Sequence, residues 1–550
     1  MKKFIPIFLL LTVSIFSQTE YVSSTNPVYD FVERMETLQI INDYNSFELP
    51  KTRGEIAGYL KQIIKNENKL DDVDKKILQD LKVEFEYDLH GTLENAQLMI
   101  GKGEYSIFSQ KQKYLYYYTE PDKFNLFINL LGEGEVIFNN DIENKKNLST
   151  TLGYVGGVIR GTILNKFGFY LRGINGNVFG NKETALLRND LSYNFKLTEK
   201  PDQAFFDETE GYATADFDLV KFKLGQDRIN IGYGPVKALL DDNSPKFDYI
   251  EFNIAYKFFN FSYFHGKLLG NTTYSFDSTT GQITTVEEKY IGYHRIGFNI
   301  SRDVNFGIGE FIIYGDRPID LSYLNPFSFY KSIEHQNRDR DNSMLFFDFK
   351  NFSIQGLKLY GTFLIDDITI NKLGTGWWGN QFMFNAGLYS TNLYKIIPLD
   401  FKFEYIAIDP YVFTHRFIRN NFTNFGYNLG SFLHPNSELF YTQANYRFTN
   451  RLSLSGDFSY SIHGANPLAP DGSVKENVGG DITLGHRIFD SETVHFLDGF
   501  LEYSRTASIT LNYEPFNQIN FYFNLKYINQ SLQEKTNKDI QTFLTLSAKL

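Results

Sequence analysis

From roughly residue 100 onward, hydrophobic and polar positions alternate with a period of two, the signature of half-buried β-strands. In DYIEFNIAYKFFNFSYFHGKLL, Ile250, Phe252, Ile254 and Tyr256 lie on one face and Tyr249, Glu251, Asn253 and Ala255 on the other. A tight turn at Lys257 to Asn260 then opens a second alternating run, which predicts a β-hairpin. TLGYVGGVIRGTILNKFGFYLRGINGNVFG repeats the design around Asn165 and Lys166. So do KYIGYHRIGFNISRDVNFGIGEFIIYG, MLFFDFKNFSIQGLKLYGTFLI, ELFYTQANYRFTNRLSLSGDFSYSI and ASITLNYEPFNQINFYFNLKYI.

The segment before it has a helical period. Asn26 is a cap and Pro27 a first helical residue, and Val28, Phe31, Met35 and Leu38 then share a face. Thr52 and Glu55 have capping-box spacing ahead of Ile56, Leu60 and Ile63. A third helix is expected with Val73, Ile77, Leu81 and Phe85 on one side, although Val83, Phe85, Tyr87 and Leu89 also alternate as a first strand would. At the front, two lysines precede an apolar run from Phe4 to Phe16, which reads as a secretory signal peptide cleaved after Ser17. The expected division is signal peptide 1–17, helical bundle 18–95 and β-region 96–550.

Connections between strands alternate between short turns and longer polar stretches, the latter read at 267–288 and 464–479. Short turns on one rim and long loops on the other are the layout of an outer-membrane barrel. Lipid offers no hydrogen-bond partner to an edge strand, so such a sheet must close on itself. At about 25 residues per strand with its share of connections, the β-region allows on the order of 18 antiparallel strands. The fold class expected is an all-β transmembrane barrel with a small N-terminal periplasmic helical bundle. A soluble multi-domain β-protein is the alternative, against which stand mid-strand residues such as Arg160, Gly173 and Glu251 that suit a wet lumen.

Composition supports the same reading. Mean hydropathy is -0.31, yet 17% of residues are aromatic, with 54 Phe and 37 Tyr. A barrel reconciles the two numbers, because lumen-facing polar residues alternate with lipid-facing apolar ones and aromatic girdles mark both interfaces. There is no cysteine, which excludes thiol chemistry, and the net charge of -11 argues against nucleic acid as a partner. No Ser, His and acid set is spaced to compel triad geometry and no HExxH occurs, so neither catalysis, metal nor cofactor is expected.

Two stretches carry candidate contacts. GQDRINIGYGPVKALLDDNSPKFDYIEFNI, residues 225–254, has glycines, Lys237 and paired acids, but no helix follows the glycines as a nucleotide loop requires. One reading makes Gly232, Gly234 and Pro235 a backbone kink at the barrel rim. The other folds the loop inward so that Arg228, Tyr233, Asp241, Asp242 and Asn243 offer lumen or glycan contacts. GTGWWGN holds the only two tryptophans, Trp377 and Trp378, read either as a stacking platform for sugar rings or as an interfacial belt. The mixed-charge run EHQNRDRDN, 334–342, is a solvated loop or a lumen plug.

With these motifs in hand, the chain resembles the Wzi family of outer-membrane capsule-assembly proteins, in its Bacteroidetes-type branch. The resemblance rests on YDFVERMETLQII, TRGEIAGYL, LGQDRINIGYGPVKALLDDNSPKFDYIEF, LSYLNPFSFY and NFGYNLGSFLHPNSELFYTQANYRF, in that order over nearly the whole mature chain. It implies an 18-stranded barrel with a periplasmic helical bundle, holding capsular or exopolysaccharide at the cell surface. Outer-membrane lipid and the polysaccharide are then the partners, and a monomer is expected. A porin, an outer-membrane enzyme acting on lipid or sugar, and a component of a secretion or gliding machine are the rival readings.

Overall fold

The computed structural model describes residues 18–198, 203–338, 340–395 and 398–550; the segment 1–17, expected as a signal peptide, lies outside them. Its frame is a closed antiparallel barrel of eighteen long strands, from Phe124–Asp141 to Thr536–Lys549. Closure comes from pairing the last strand to the first, with Asp539 opposite Asp141 and Lys549 opposite Leu131. A short strand, Tyr116–Glu120, continues along the same edge of the first strand where the last one stops. The first strand is thus paired along its whole length at this seam, as a membrane-spanning sheet requires.

The register matches the hydrophobic rhythm. Ile250, Phe252 and Ile254 stand opposite His265, Tyr263 and Phe261 on the outward face, while Tyr249 and Phe264 point into a buried inner cluster. Outward side chains such as Val155, Leu171, Leu224, Phe363 and Leu544 are exposed and form the apolar belt. One rim has short turns, at 164–166, 217–219, 257–258, 300–303, 355–356, 448–451 and 517–518. The other carries the long connections 181–204, 228–246, 316–341, 409–436 and 466–499. The stretch 267–288, expected as a loop, is instead a continuous hairpin, Phe259–Asp277 and Gly281–Asn299, whose polar residues reflect strands rising above the apolar belt.

Four helices close the short-turn rim: α1 (Val28–Thr37), α2 (Arg53–Lys65), α3 (Asp72–Glu84) and α4 (Glu86–His90). None of the described helices is long and apolar enough to cross a membrane. The Thr52 capping box forms as expected. The stretch from Phe85 to Leu89 is helical, not a strand, and ends at Gly91 in the left-handed conformation, φ 70°. On α3 and at its C-cap, Leu81 and Phe85 are buried as expected and Ile77 packs against the bundle core, but the buried face also takes in Asp74 and Leu78 while Val73 is only partly buried. The reason is Arg34, whose guanidinium bonds Asp74 at 3.0 Å and also reaches Asp400 on the barrel wall.

Further ion pairs dock the bundle. Glu36 meets Lys350 at 2.7 Å, Glu33 meets Lys402 at 2.9 Å as well as Lys358, and Asp80 meets Arg451 at 2.7 Å. Burial raises the Glu33 carboxyl, but the two lysines outweigh it and hold the group far below the usual range.

The lumen is not uniformly wet. Arg160 and Glu251 do point inward, yet Arg160 is bound by Glu20 and Glu251 accepts from Tyr21 at 3.2 Å, both partners coming from the N-terminal segment. Gly173, opposite Gly157, belongs to the outward set. From the strand Phe247–Tyr256 round to Ser437–Arg447 the inner side chains join one dry cluster that includes Phe47, Leu239, Leu240, Phe413 and Phe422. Apolar residues of two long connections fill this side in place of water.

Candidate functional site

The connection 228–246 folds inward. Asn230 and Ile231 pair with Leu49 and Glu48 as a two-stranded ladder inside the barrel. Gly232 and Gly234 are therefore not a kink at the rim; both take positive φ, 127° and 72°, deep in the lumen. Gly234 presses so closely on the wall that a Cβ there would stand 2.0 Å from Glu404 Oε1. Only glycine satisfies both the backbone and the space.

Tyr233 lies in the dry cluster, its hydroxyl donating to Asp348 Oδ1 at 3.0 Å. The same carboxylate receives a two-pronged grip from Arg295, at 2.7 and 2.8 Å, in a pair whose side chains are wholly excluded from solvent. Tyr233 is thus a structural bridge between plug and wall, with no surface left for a ligand.

Arg228, Asp241, Asp242 and Asn243 gather nearer the long-connection rim. Arg228 donates to Glu208 Oε1 at 2.6 Å, to Tyr193 Oη at 3.2 Å and to the Asp242 carbonyl. Burial alone would lower its pKa; Tyr193, Glu208 and Glu210 reverse that and keep it charged. Asp242 accepts from Ser24 Oγ at 2.6 Å. Asp241 accepts from the backbone and side-chain amides of Asn243 at 2.8 and 2.7 Å. Burial, with Asp242 beside it and Asn243 opposing, pushes the Asp241 carboxyl up to about 6.

Beside this cluster a cavity of about 940 Å³ opens at the rim. Asp190, Tyr193, Asn194, Glu208, Gln226 and Lys246 supply its polar lining, with Tyr274 and Phe425 adding aromatic surface. Lys246 bridges Glu208 and Glu210 at 2.7 and 3.0 Å, and Arg172 binds Glu208 at 2.7 Å. Carboxylates, amides and a tyrosine around an open cavity are the groups that hydrogen-bond a polyol, and its size falls within the roughly 300–1,000 Å³ of small-molecule sites. These lining residues were not singled out in the sequence, because acids and amides inside strands carry no motif; only the chain's inward turn at 228 brings Arg228 against them.

Trp377 and Trp378 occupy another part of the same rim. Trp378 stacks on His486 at 3.9 Å with the rings 5° from parallel, and Trp377 Nε1 donates to Glu492 at 3.2 Å. Lys372 lies over Trp377 at 4.1 Å. The pair ties the connection 368–380 to 466–499, and both rings stay partly exposed. Among the described residues no group of His, Cys, Asp and Glu is arranged to hold a metal.

A family model described as capsule assembly protein Wzi matches residues 138–538. No curated protein matches the chain by sequence. Among solved structures the chain is similar to Wzi of Escherichia coli, described as an outer membrane protein involved in group 1 capsule assembly and a carbohydrate-binding β-barrel. That likeness has 12% identity, covers 96% of this chain and 98% of that one, and has a TM-score of 0.58. Two Pseudomonas aeruginosa barrels, OccK8 (OprE) and the outer membrane protein OpdK, match 77% of this chain and 98% of theirs at 10% identity, with TM-scores of 0.45 and 0.43.

Proposed function

The chain belongs to the capsule assembly protein Wzi family, and from that premise we propose that it is a non-catalytic outer-membrane anchor for capsular or exopolysaccharide. The helical bundle faces the periplasm and the long-connection rim faces outward. The protein holds glycan at that rim, by many polar and stacking contacts, as a monomer in outer-membrane lipid. Its only role for the lumen is structural on the filled side, so the polymer is gripped at the mouth and not threaded.

The observation that carries this reading is the polar rim cavity of about 940 Å³ standing beside a lumen side packed shut. Arg228 braces the cavity by holding Tyr193 and Glu208, and Trp377 and Trp378 offer a second contact surface. Reversing the charge with Arg228→Glu is expected to release surface polysaccharide into the medium and to weaken its binding to purified protein by at least about tenfold, the equivalent of roughly 1.4 kcal/mol. Retention and binding equal to the parent, in a barrel that still folds, would defeat the assignment of this cavity.

A further inference from the structure

The connection after the strand Val304–Gly315 leaves the rim and runs down the outside of the wall. Register places Tyr263, His294 and Glu310 side by side on the outward face, in line with Phe252. Tyr263 Oη donates to the Leu324 carbonyl at 3.0 Å. Phe327 stacks on Phe261 at 5.2 Å, close to the short-turn rim where that strand begins at Phe259. The Tyr330 amide donates to Glu310 Oε2 at 2.9 Å, and the same oxygen meets His294 Nε2 at 3.0 Å. Tyr323 and Tyr330 of the connection are buried together with Tyr290, Ile312 and Tyr314 of the wall. Gly292 makes room for it, since a Cβ there would stand 3.1 Å from Tyr330 Oη.

This arrangement answers a problem that the wall poses. A carboxylate and a histidine on the acyl-chain side of a barrel are costly when bare, and here the connection covers them. Its own backbone is paired within itself: Leu324 N to the Asp320 carbonyl at 3.2 Å, Ser328 N to the Asn325 carbonyl at 3.2 Å, and Ile333 N to the Phe329 carbonyl at 3.2 Å. Irregular chain in hydrocarbon demands such pairing. Its outer side between Ile319 and Phe329 is mainly apolar, with Leu321 78% and Phe327 72% exposed beside Ile319 and Phe329, and Asn325 the exposed polar residue among them. Polar Ser332, His335, Gln336 and Arg338 are exposed on the return toward the rim, and Asp316 is exposed where the connection leaves it. Next to Pro326 an apolar groove of about 660 Å³ runs along Ala213, Phe222, Leu224, Ile250 and Phe252, continuous with the exposed belt.

We propose that residues 316–338 form a strap embedded in the bilayer, its bare lower side seated among lipid acyl chains, with Pro326 walling a groove that holds one such chain. The occupant is lipid because the groove lies on the outward face, is lined almost wholly by carbon and merges with the apolar belt on either side. The strap is independent of any glycan bound at the rim.

The test uses the full mature chain with Trp377→Phe and Trp378→Phe, to which Phe327→Trp or Phe329→Trp is added singly. Each protein is reconstituted into phosphatidylcholine vesicles with or without bromine on the mid-acyl carbons. Both added indoles are expected to lose most of their emission in brominated vesicles and to resist aqueous iodide. Quenching by iodide with none by brominated lipid, at whichever position folds, would overturn the strap and return the connection to the aqueous phase.

Discussion

The two sides of the lumen share one register and end in opposite solvation. From Phe247–Tyr256 to Ser437–Arg447, the inner faces carry Tyr249, Phe264, Tyr293, Phe311, Met383, Ile406 and Leu439, all buried. From Leu452–Ala465 to Thr536–Lys549, register sets Ser453, Ser455, Ser459 and Ser461 inward beside Ser504, Thr506, Thr510 and Asn512, followed by Asn524 and Lys526. On that side Tyr522 points inward yet is 41% exposed. Alternation therefore tells which residues face inward and not whether inward is wet. That depends on which connections turn back into the barrel, and 228–246 and 409–436 both turn toward the first side.

Removing the charge at the centre of the filled side should have the largest consequence. Arg295→Met would leave Asp348 buried without its partner and is expected to cost about 3–5 kcal/mol, read from urea unfolding of the reconstituted barrel. A cost below about 1 kcal/mol would mean that this side admits water after all, and the contrast would break. The bundle's grip comes next. Glu33→Gln strips the carboxylate from Lys358 and Lys402 and is expected to cost about 1–3 kcal/mol, with faster proteolysis of the segment 28–90. Planar-bilayer conductance of the same variant sharpens the comparison: a rise would show that the hydroxyl-lined side is a water column stopped by the bundle. The smallest effect belongs to Ser459→Ala, expected to shift stability by no more than about 0.5 kcal/mol in the same unfolding assay. A larger loss would make this wall a packed surface like its counterpart.

Much of the architecture was legible because it rests on short-range rules. The capping pair Thr52 and Glu55, the split of Ile250 from Glu251, and the turns at 164–166 and 257–258 depend on neighbours in sequence. The burial of Asp74 on α3 was not legible, since it is drawn inward by Arg34 forty positions away. The run 334–342 illustrates the same limit. It reads as a solvated loop or a plug, yet Glu334 is buried against Ser343 on the outside of the wall, while Asp339 lies outside the described residues. Of the site, Arg228 and the acids after it were visible as a charged connection, but Tyr233 looks no different in sequence and ends in the dry cluster.

Period-two patterning, turn residues and helix caps are written residue by residue, so most strands, their faces and the first three helices follow from the chain alone. Lumen filling, the rim cavity around Glu208 and the strap over Glu310 arise from contacts between segments tens to hundreds of residues apart. Each of those contacts is chosen by the free energy of the closed ring, in which a connection can satisfy its polar groups against the inside, the outside or water, and no local pattern encodes which.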